Sequence, residues 1–474
     1  MTKNNFSEAE LEQIEKIKKS ICIHRWEFPC YRPDSGEVKT CCRTATQNLS
    51  HEELQQKKED AILNNAYNIE RRKEMLTGVR HSDCNYCWSL EDAGHISPRK
   101  SLDDFLKYQS THTEKSKEQI LKDCLNIEDN PEYLLSYEPR MLEISLGNTC
   151  NLKCIYCSPN YSSSWAAELI QAGELNSDFK RIKNAENLDI TNELFWSWME
   201  QVGLKSLNII GLIGGETFLS KGFDIFLENL EIISSRLPEL SNRRRPILIQ
   251  IVTNLSIPQE ILTKHFEKMS KLNSTFRYQI LFSMESVKQK AEFIRYGLDW
   301  KLFNHNLDLL MIKYGHSGDQ FTFGFLSTLN ALSISSLPEF IEFVYELSKK
   351  NKNSIYLGPN QVVFPEEFSI YNLPTHFSEY IEKTIQYMNN ILGDSENDFI
   401  DRKSWIEYVN FLKNIKTSLN QTVREKNIDD NKIKFARWIK KNDLRRNTNF
   451  IEIFPEYTSF LNDCKNLECK LLNN

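Results

Sequence analysis

From Met141 onward the chain alternates between two periods of apolar residues. Strand-like runs, alternating or continuously apolar, recur at Met141–Leu146, Ser206–Ile213, Ile247–Thr253, Tyr278–Glu285, Gln320–Leu326 and Ser354–Val363. Between them, helical spacing covers Ser162–Ala172, Phe223–Leu237, Gln259–Leu272, Leu298–Ile312 and Ser336–Lys349. Strands alternating with helices predict parallel strands joined by crossovers, with functional residues at the strands' C-terminal ends. After Leu373 the pattern is helical only, over Phe377–Leu392, Ile400–Ile428 and Lys432–Asn442, and predicts a cap. Its aromatic residues (Trp405, Tyr408, Phe411, Phe435, Trp438) read as packing. Upstream, Asp34-Ser-Gly36-Glu-Val38 suits a hairpin turn, and a helix is expected over about Asp60–Thr77. The expected divisions are a module over 1–100, a helical connector over 101–135, an α/β region over 136–370 and a helical region over 371–474.

A chain of 474 residues can bury a large core, and 11% aromatic content argues against disorder. The longest nearly apolar stretch, Leu207–Gly215, falls far short of the ~20 residues of a membrane helix. The charged N-terminus has no apolar signal core, so the expectation is a soluble, cytoplasmic protein with no membrane partner. A net charge of −6 gives no global basic field for nucleic acid. The one basic run, Lys432–Arg446, reads as a solvated helix face rather than a phosphate patch.

The twelve cysteines change the picture, because nine of them fall into two groups. Clustered thiols in a reducing compartment suggest metal rather than disulfides. Cys150, Cys154 and Cys157 lie in one short loop. Thiolates so spaced can wrap one face of an iron–sulfur cubane and ligate three of its four irons. The open iron could then bind substrate or cofactor, whereas a closed zinc site would want a fourth ligand nearby. The second group comprises Cys22, Cys30, Cys41, Cys42, Cys84 and Cys87. Cys124, Cys464 and Cys469 are scattered and read as core or surface thiols.

Cys150-Asn-Leu-Lys-Cys154-Ile-Tyr156-Cys157 resembles the signature of the radical S-adenosylmethionine (SAM) enzymes. The resemblance implies an α/β fold with a partial (β/α)6 barrel, and a 4Fe-4S cluster that binds SAM. It implies SAM contacts at Tyr156 and at Gly214-Gly215-Glu216, which resembles the motif for the methionyl amine. Ser283 would touch the ribose and Arg295 the SAM carboxylate. The plainer readings are a turn for the glycines, a helix N-terminal acid for Glu216, a strand-end hydroxyl for Ser283 and a surface arginine for Arg295. Asn254 is a turn residue or a polar contact.

Cys22 with Trp26, Gly36 with Val38, the Cys41-Cys42 doublet, and Met75-Leu76 ahead of Cys84-Asn-Tyr-Cys87 resemble the twitch domain, the short relative of the SPASM domain. That resemblance implies an auxiliary iron–sulfur cluster on Cys22, Cys41, Cys84 and Cys87, with Cys30 and Cys42 spare or alternative ligands. The module precedes the barrel here, whereas it normally follows. From spacing alone a zinc ribbon fits as well. The implied enzyme cleaves SAM reductively to a 5′-deoxyadenosyl radical that abstracts hydrogen. Its substrate would be a small molecule or a peptide, and its reductant a flavodoxin or ferredoxin. The residues acting on the substrate are unassigned, and the alternative is a non-catalytic metal-binding scaffold.

Overall fold

The computed structural model describes residues 6–472 apart from 42, 45–46, 48, 93–96, 130–131, 136–138, 180–186, 244, 273–274, 317 and 421–427. Among these, ten strands form two sheets. They are β1 (Cys30–Arg32), β2 (Glu37–Lys39), β3 (Met141–Ser145), β4 (Lys153–Cys154), β5 (Ile209–Ile213), β6 (Ile247–Thr253), β7 (Phe276–Ser283), β8 (Arg295–Tyr296), β9 (Phe321–Leu329) and β10 (Tyr356–Gln361). The large sheet runs β10-β9-β7-β6-β5-β3-β1-β2. From β3 to β10 every pair is parallel, and neighbours follow in chain order. This is the strand order of a partial (β/α)6 barrel, as the alternation of periods predicts.

Apolar residues on the face toward the crossover helices hold the sheet. In β6, Ile247, Ile249 and Ile251 are fully buried; Phe282 of β7 and Phe323 and Phe325 of β9 join them. The crossover helices add Phe223, Leu230, Phe266, Phe303, Leu310, Phe340 and Val344. Burying one such side chain contributes roughly 1.5–3 kcal/mol. The C-terminal helices cover the β10 edge: Ser404 Oγ accepts from Leu357 N at 3.1 Å, and the Tyr408 and Ser327 hydroxyls meet at 2.9 Å. Trp405, Tyr408 and Phe435 are buried, in keeping with the packing reading. The basic run ends in ion pairs: Lys441 reaches Glu174 at 2.7 Å, and Arg446 reaches Glu168 at 3.2 Å.

The N-terminal hairpin does not stand apart. β1 pairs antiparallel with β2 and parallel with β3, Cys30 opposite Glu143 and Tyr31 opposite Ile144. It therefore extends the barrel sheet past its first strand. Tyr31 anchors the junction. It is buried, stacks on Phe195 at 4.0 Å, and donates from its hydroxyl to Asn192 Oδ1 at 2.6 Å. Phe195 and Asn192 belong to a helix, Leu188–Trp198, in a stretch where sequence reasoning placed no element. Its buried residues Thr191, Phe195 and Trp198 do follow a helical period.

The helix expected over Asp60–Thr77 is broken. Asn65 is extended and its side chain caps a new helix, Ala66–Leu76, by accepting from Asn68 N at 2.8 Å. The long helix expected over Ile400–Ile428 is described as Arg402–Asn420, and a separate helix begins at Ile428.

Tyr31→Ala should cost about 3–5 kcal/mol in urea unfolding, in the range of large-to-small core substitutions. Tyr31→Phe, which loses only the Asn192 bond, should cost about 1 kcal/mol.

Candidate active site

The loop after β3 carries Cys150, Cys154 and Cys157, and four sets of contacts fix its path. The helix Ser163–Gln171 begins against it: Ser164 Oγ donates to Cys150 O at 2.7 Å, Ser162 Oγ to Leu152 O at 2.6 Å, and Trp165 Nε1 to Cys154 O at 2.8 Å. Cys154 lies in β4, which pairs antiparallel with β8 and sets it opposite Arg295. Asn151 donates to Ser256 O at 2.6 Å and accepts from Asn254 Nδ2 at 2.9 Å, which ties the loop to the end of β6.

The fourth set is backbone against backbone. Gly215 N donates to Gly147 O at 2.9 Å, and Glu216 N to Thr149 O at 2.7 Å. A Cβ on Gly215 would sit 2.3 Å from Thr149 O, and one on Gly214, whose φ is +136°, 2.8 Å from Gly147 O. Only glycine lets the loops after β3 and β5 close to this distance.

Together these loops wall a cavity of about 610 Å³ at the C-terminal end of the sheet. Cys150, Cys154, Cys157, Tyr156, Gly214, Gly215, Asn254, Ser283 and Arg295 all line it. Exposed Tyr161 and Phe364 flank it, and Arg43 reaches it from the N-terminal module. Arg32 of β1 donates to the Tyr161 hydroxyl at 3.2 Å, so the hairpin also supports this wall.

Glu216 is placed differently from its glycines. It is 1% exposed, and its carboxylate turns away from the cavity. It accepts from Thr253 Oγ1 and Asn254 N at 2.7 Å and from Phe218 N at 3.2 Å, clamping the ends of β5 and β6 together. Burial pushes its pKa up to about 7, against the pull of these donors.

Arg295 is not a surface arginine. It is 5% exposed and bonds through Nε (3.2 Å) and Nη2 to Glu285 Oε2. Its Nη1 points at Cys154 Sγ, 3.9 Å away. Tyr156 donates to Glu285 at 3.2 Å, and the Arg295 guanidinium lies 5.5 Å from the Tyr156 ring centre. Burial works against the guanidinium's charge, but Glu285, Tyr156 and Cys154 more than reverse this and hold Arg295 cationic. Sequence reasoning passed over Glu285, although it stands two residues beyond Ser283 at the same strand end.

The second cysteine group forms its own cavity, of about 150 Å³, lined by Cys22, Cys41, Cys84 and Cys87. Arg43 lines both cavities. Cys30 lines neither; it is buried in β1 with its thiol on Glu143. Cys42 lies outside the described residues.

Burial pushes the Cys150, Cys157 and Cys22 thiols up to about 12 and Cys87 to about 11. Such thiols stay protonated singly, and a thiophilic metal centre is what would deprotonate them as ligands. Among the described residues, no three cysteine, histidine or carboxylate side chains converge tightly enough to hold one metal ion. No helix there is long and apolar enough to cross a membrane.

No family model and no curated protein matches the chain. It is similar to solved structures. One is native anSMEcpe with bound AdoMet and Kp18Cys peptide, at 17% identity and a TM-score of 0.35, covering 54% of this chain and 62% of that one. Another is Streptococcus suis SuiB bound to S-adenosylmethionine, at 12% identity and a TM-score of 0.32, covering 76% and 67%. SuiB bound to precursor peptide SuiA gives 15%, 0.33, 76% and 68%.

Gly215→Ala should leave the fold intact but displace the cysteine loop. Urea unfolding should register the 2.3 Å clash as a loss of about 1–3 kcal/mol. A second test uses pH. A carboxylate whose folded pKa is raised stabilises the fold below its unfolded value and loses that contribution as pH rises through the folded one. The stability of the wild type relative to Glu216→Gln should therefore decline between about pH 4.5 and pH 7 in urea titrations.

Proposed function

We propose that the chain is a radical SAM enzyme, with SAM bound in the 610 Å³ cavity. The observation that carries this reading is the convergence on that cavity of residues from four separate strand ends. These are the three cysteines after β3, Gly214-Gly215 after β5, Asn254 after β6 and Ser283 at the end of β7. The donor set fits a three-cysteine iron–sulfur cluster, with cavity space beside the thiols for the ligand of an open iron. Bound there and reduced, the cluster supplies the electron that splits the SAM sulfonium and generates a 5′-deoxyadenosyl radical.

The chain's own groups bind and orient. Gly214 and Gly215 present bare backbone to the cavity, suited to the methionyl amine, while the Glu216 carboxylate holds that backbone in place from behind. Ser283 and Asn254 offer polar groups suited to a ribose and its neighbours. Arg295 keeps a positive charge beside Cys154, and Glu285 with Tyr156 fixes its direction. The protein's part is position and exclusion of water. The substrate, a small molecule or a peptide, would enter past Tyr161 and Phe364.

For the N-terminal cavity we infer an auxiliary iron–sulfur cluster on Cys22, Cys41, Cys84 and Cys87. A zinc ion draws four thiolates onto one point, whereas the thiolates of a cluster bind separate irons. The four cysteines surround one common cavity, which suits a cluster. An external one-electron donor of the flavodoxin or ferredoxin type, and a cytoplasmic location, complete the proposal.

Anaerobically reconstituted protein should hold about eight irons and eight sulfides per chain, with little zinc. Cys84→Ala with Cys87→Ala should lose about half of that iron yet still form 5′-deoxyadenosine with dithionite. Cys157→Ala should form none. Protein that takes up no iron would refute the enzyme reading and leave a scaffold.

A further inference from the structure

Arg25 stands on a four-residue helix just after Cys22 and is 1% exposed. Its Nη1 donates to Thr40 Oγ1 at 2.6 Å and its Nη2 to Asp83 Oδ2 at 3.2 Å. The same Nη2 faces Cys84 Sγ at 3.6 Å. Thr40 precedes Cys41, and Asp83 precedes Cys84. One guanidinium thus joins the three stretches of chain that bring the four cysteines together. Its Nε is buried without a partner.

The surrounding wall is cationic. Arg25, Arg43 and Arg99 line the cavity, and Asp83 is the one carboxylate among its described lining residues. Arg43 lies over the Tyr86 ring at 4.4 Å, and Arg99 is held by Glu91 at 2.7 Å. His24 also lines the cavity, but burial lowers its pKa to about 4 and leaves it neutral.

We propose that Arg25 is a positioning residue for a cluster on Cys22, Cys41, Cys84 and Cys87, and that its N–H toward Cys84 raises that cluster's reduction potential. This rests on the cluster reading above. Reduction adds one electron and places more negative charge on the sulfurs. A buried N–H donor and a cation beside them stabilise the reduced form more than the oxidised one. The low local dielectric strengthens the effect. Lysine would keep the charge but lacks the planar fork that meets Thr40, Asp83 and Cys84 together.

The test is a potentiometric titration of reconstituted wild type, Arg25→Gln and Arg25→Lys. The two clusters are followed separately by electron paramagnetic resonance, with iron and zinc counted. The N-terminal cluster should shift to lower potential in Arg25→Gln, and less so in Arg25→Lys. The Cys150 cluster should stay where it is and so serve as the internal reference. Unmoved potentials in variants that carry both clusters overturn the inference, as does an equal shift of both. If Arg25→Gln takes up only one cluster, Arg25→Lys decides by the same criterion. Wild-type protein with about four irons and one zinc overturns the cluster reading itself, and the inference with it.

Discussion

The site depends on one close approach, the contact of two backbones where Gly214-Gly215 meets Gly147 to Thr149. Two amide hydrogen bonds cross there, and neither glycine has room for a side chain. Through this contact the loop that carries the thiols is set by a strand that carries none. Glu216 extends the constraint by gripping Thr253 and Asn254, so the ends of β3, β5 and β6 are tied together. The acid works from behind the cavity wall, where three donors offset part of the cost of its burial. A buried carboxylate without such donors would be strongly destabilising.

Each cysteine cavity is also built around a buried arginine that faces one sulfur and is held by one acid: Arg295 with Glu285, and Arg25 with Asp83. Buried ion pairs gain little net stability, because desolvation offsets their attraction. They do fix direction. In both places the guanidinium is held so that a nitrogen faces a cysteine (Cys154 in one, Cys84 in the other). Arg43 borders both cavities.

The parallel strands were legible because each is a short apolar run whose period differs from the flanking helices. The two groups of thiols that gather at cavities were legible because cysteine spacing is a local property. What could not be read depends on partners distant in the chain. Three β1 residues carry no sign that they will pair with β3. The direction of Glu216 is decided by β6, and the burial of Arg295 by its pairing with Glu285. The Leu188–Trp198 helix carried a usable period. The break at Asn65 turned on one capping side chain, which an unbroken helical pattern conceals.

The parallel pairing of β1 with β3 has a consequence for how the polypeptide is made. Synthesis runs from the N-terminus at about 5–20 residues per second. Cys30 and Tyr31 emerge long before Glu143 and Ile144, which complete their edge of the sheet. The contact is of high sequence separation and so forms late. Until β3 has left the ribosome, the thiols at 22, 41, 84 and 87 belong to a segment that lacks its neighbour. The cysteine module is thus complete as sequence before the sheet edge it adjoins can close, an order imposed by placing that module first.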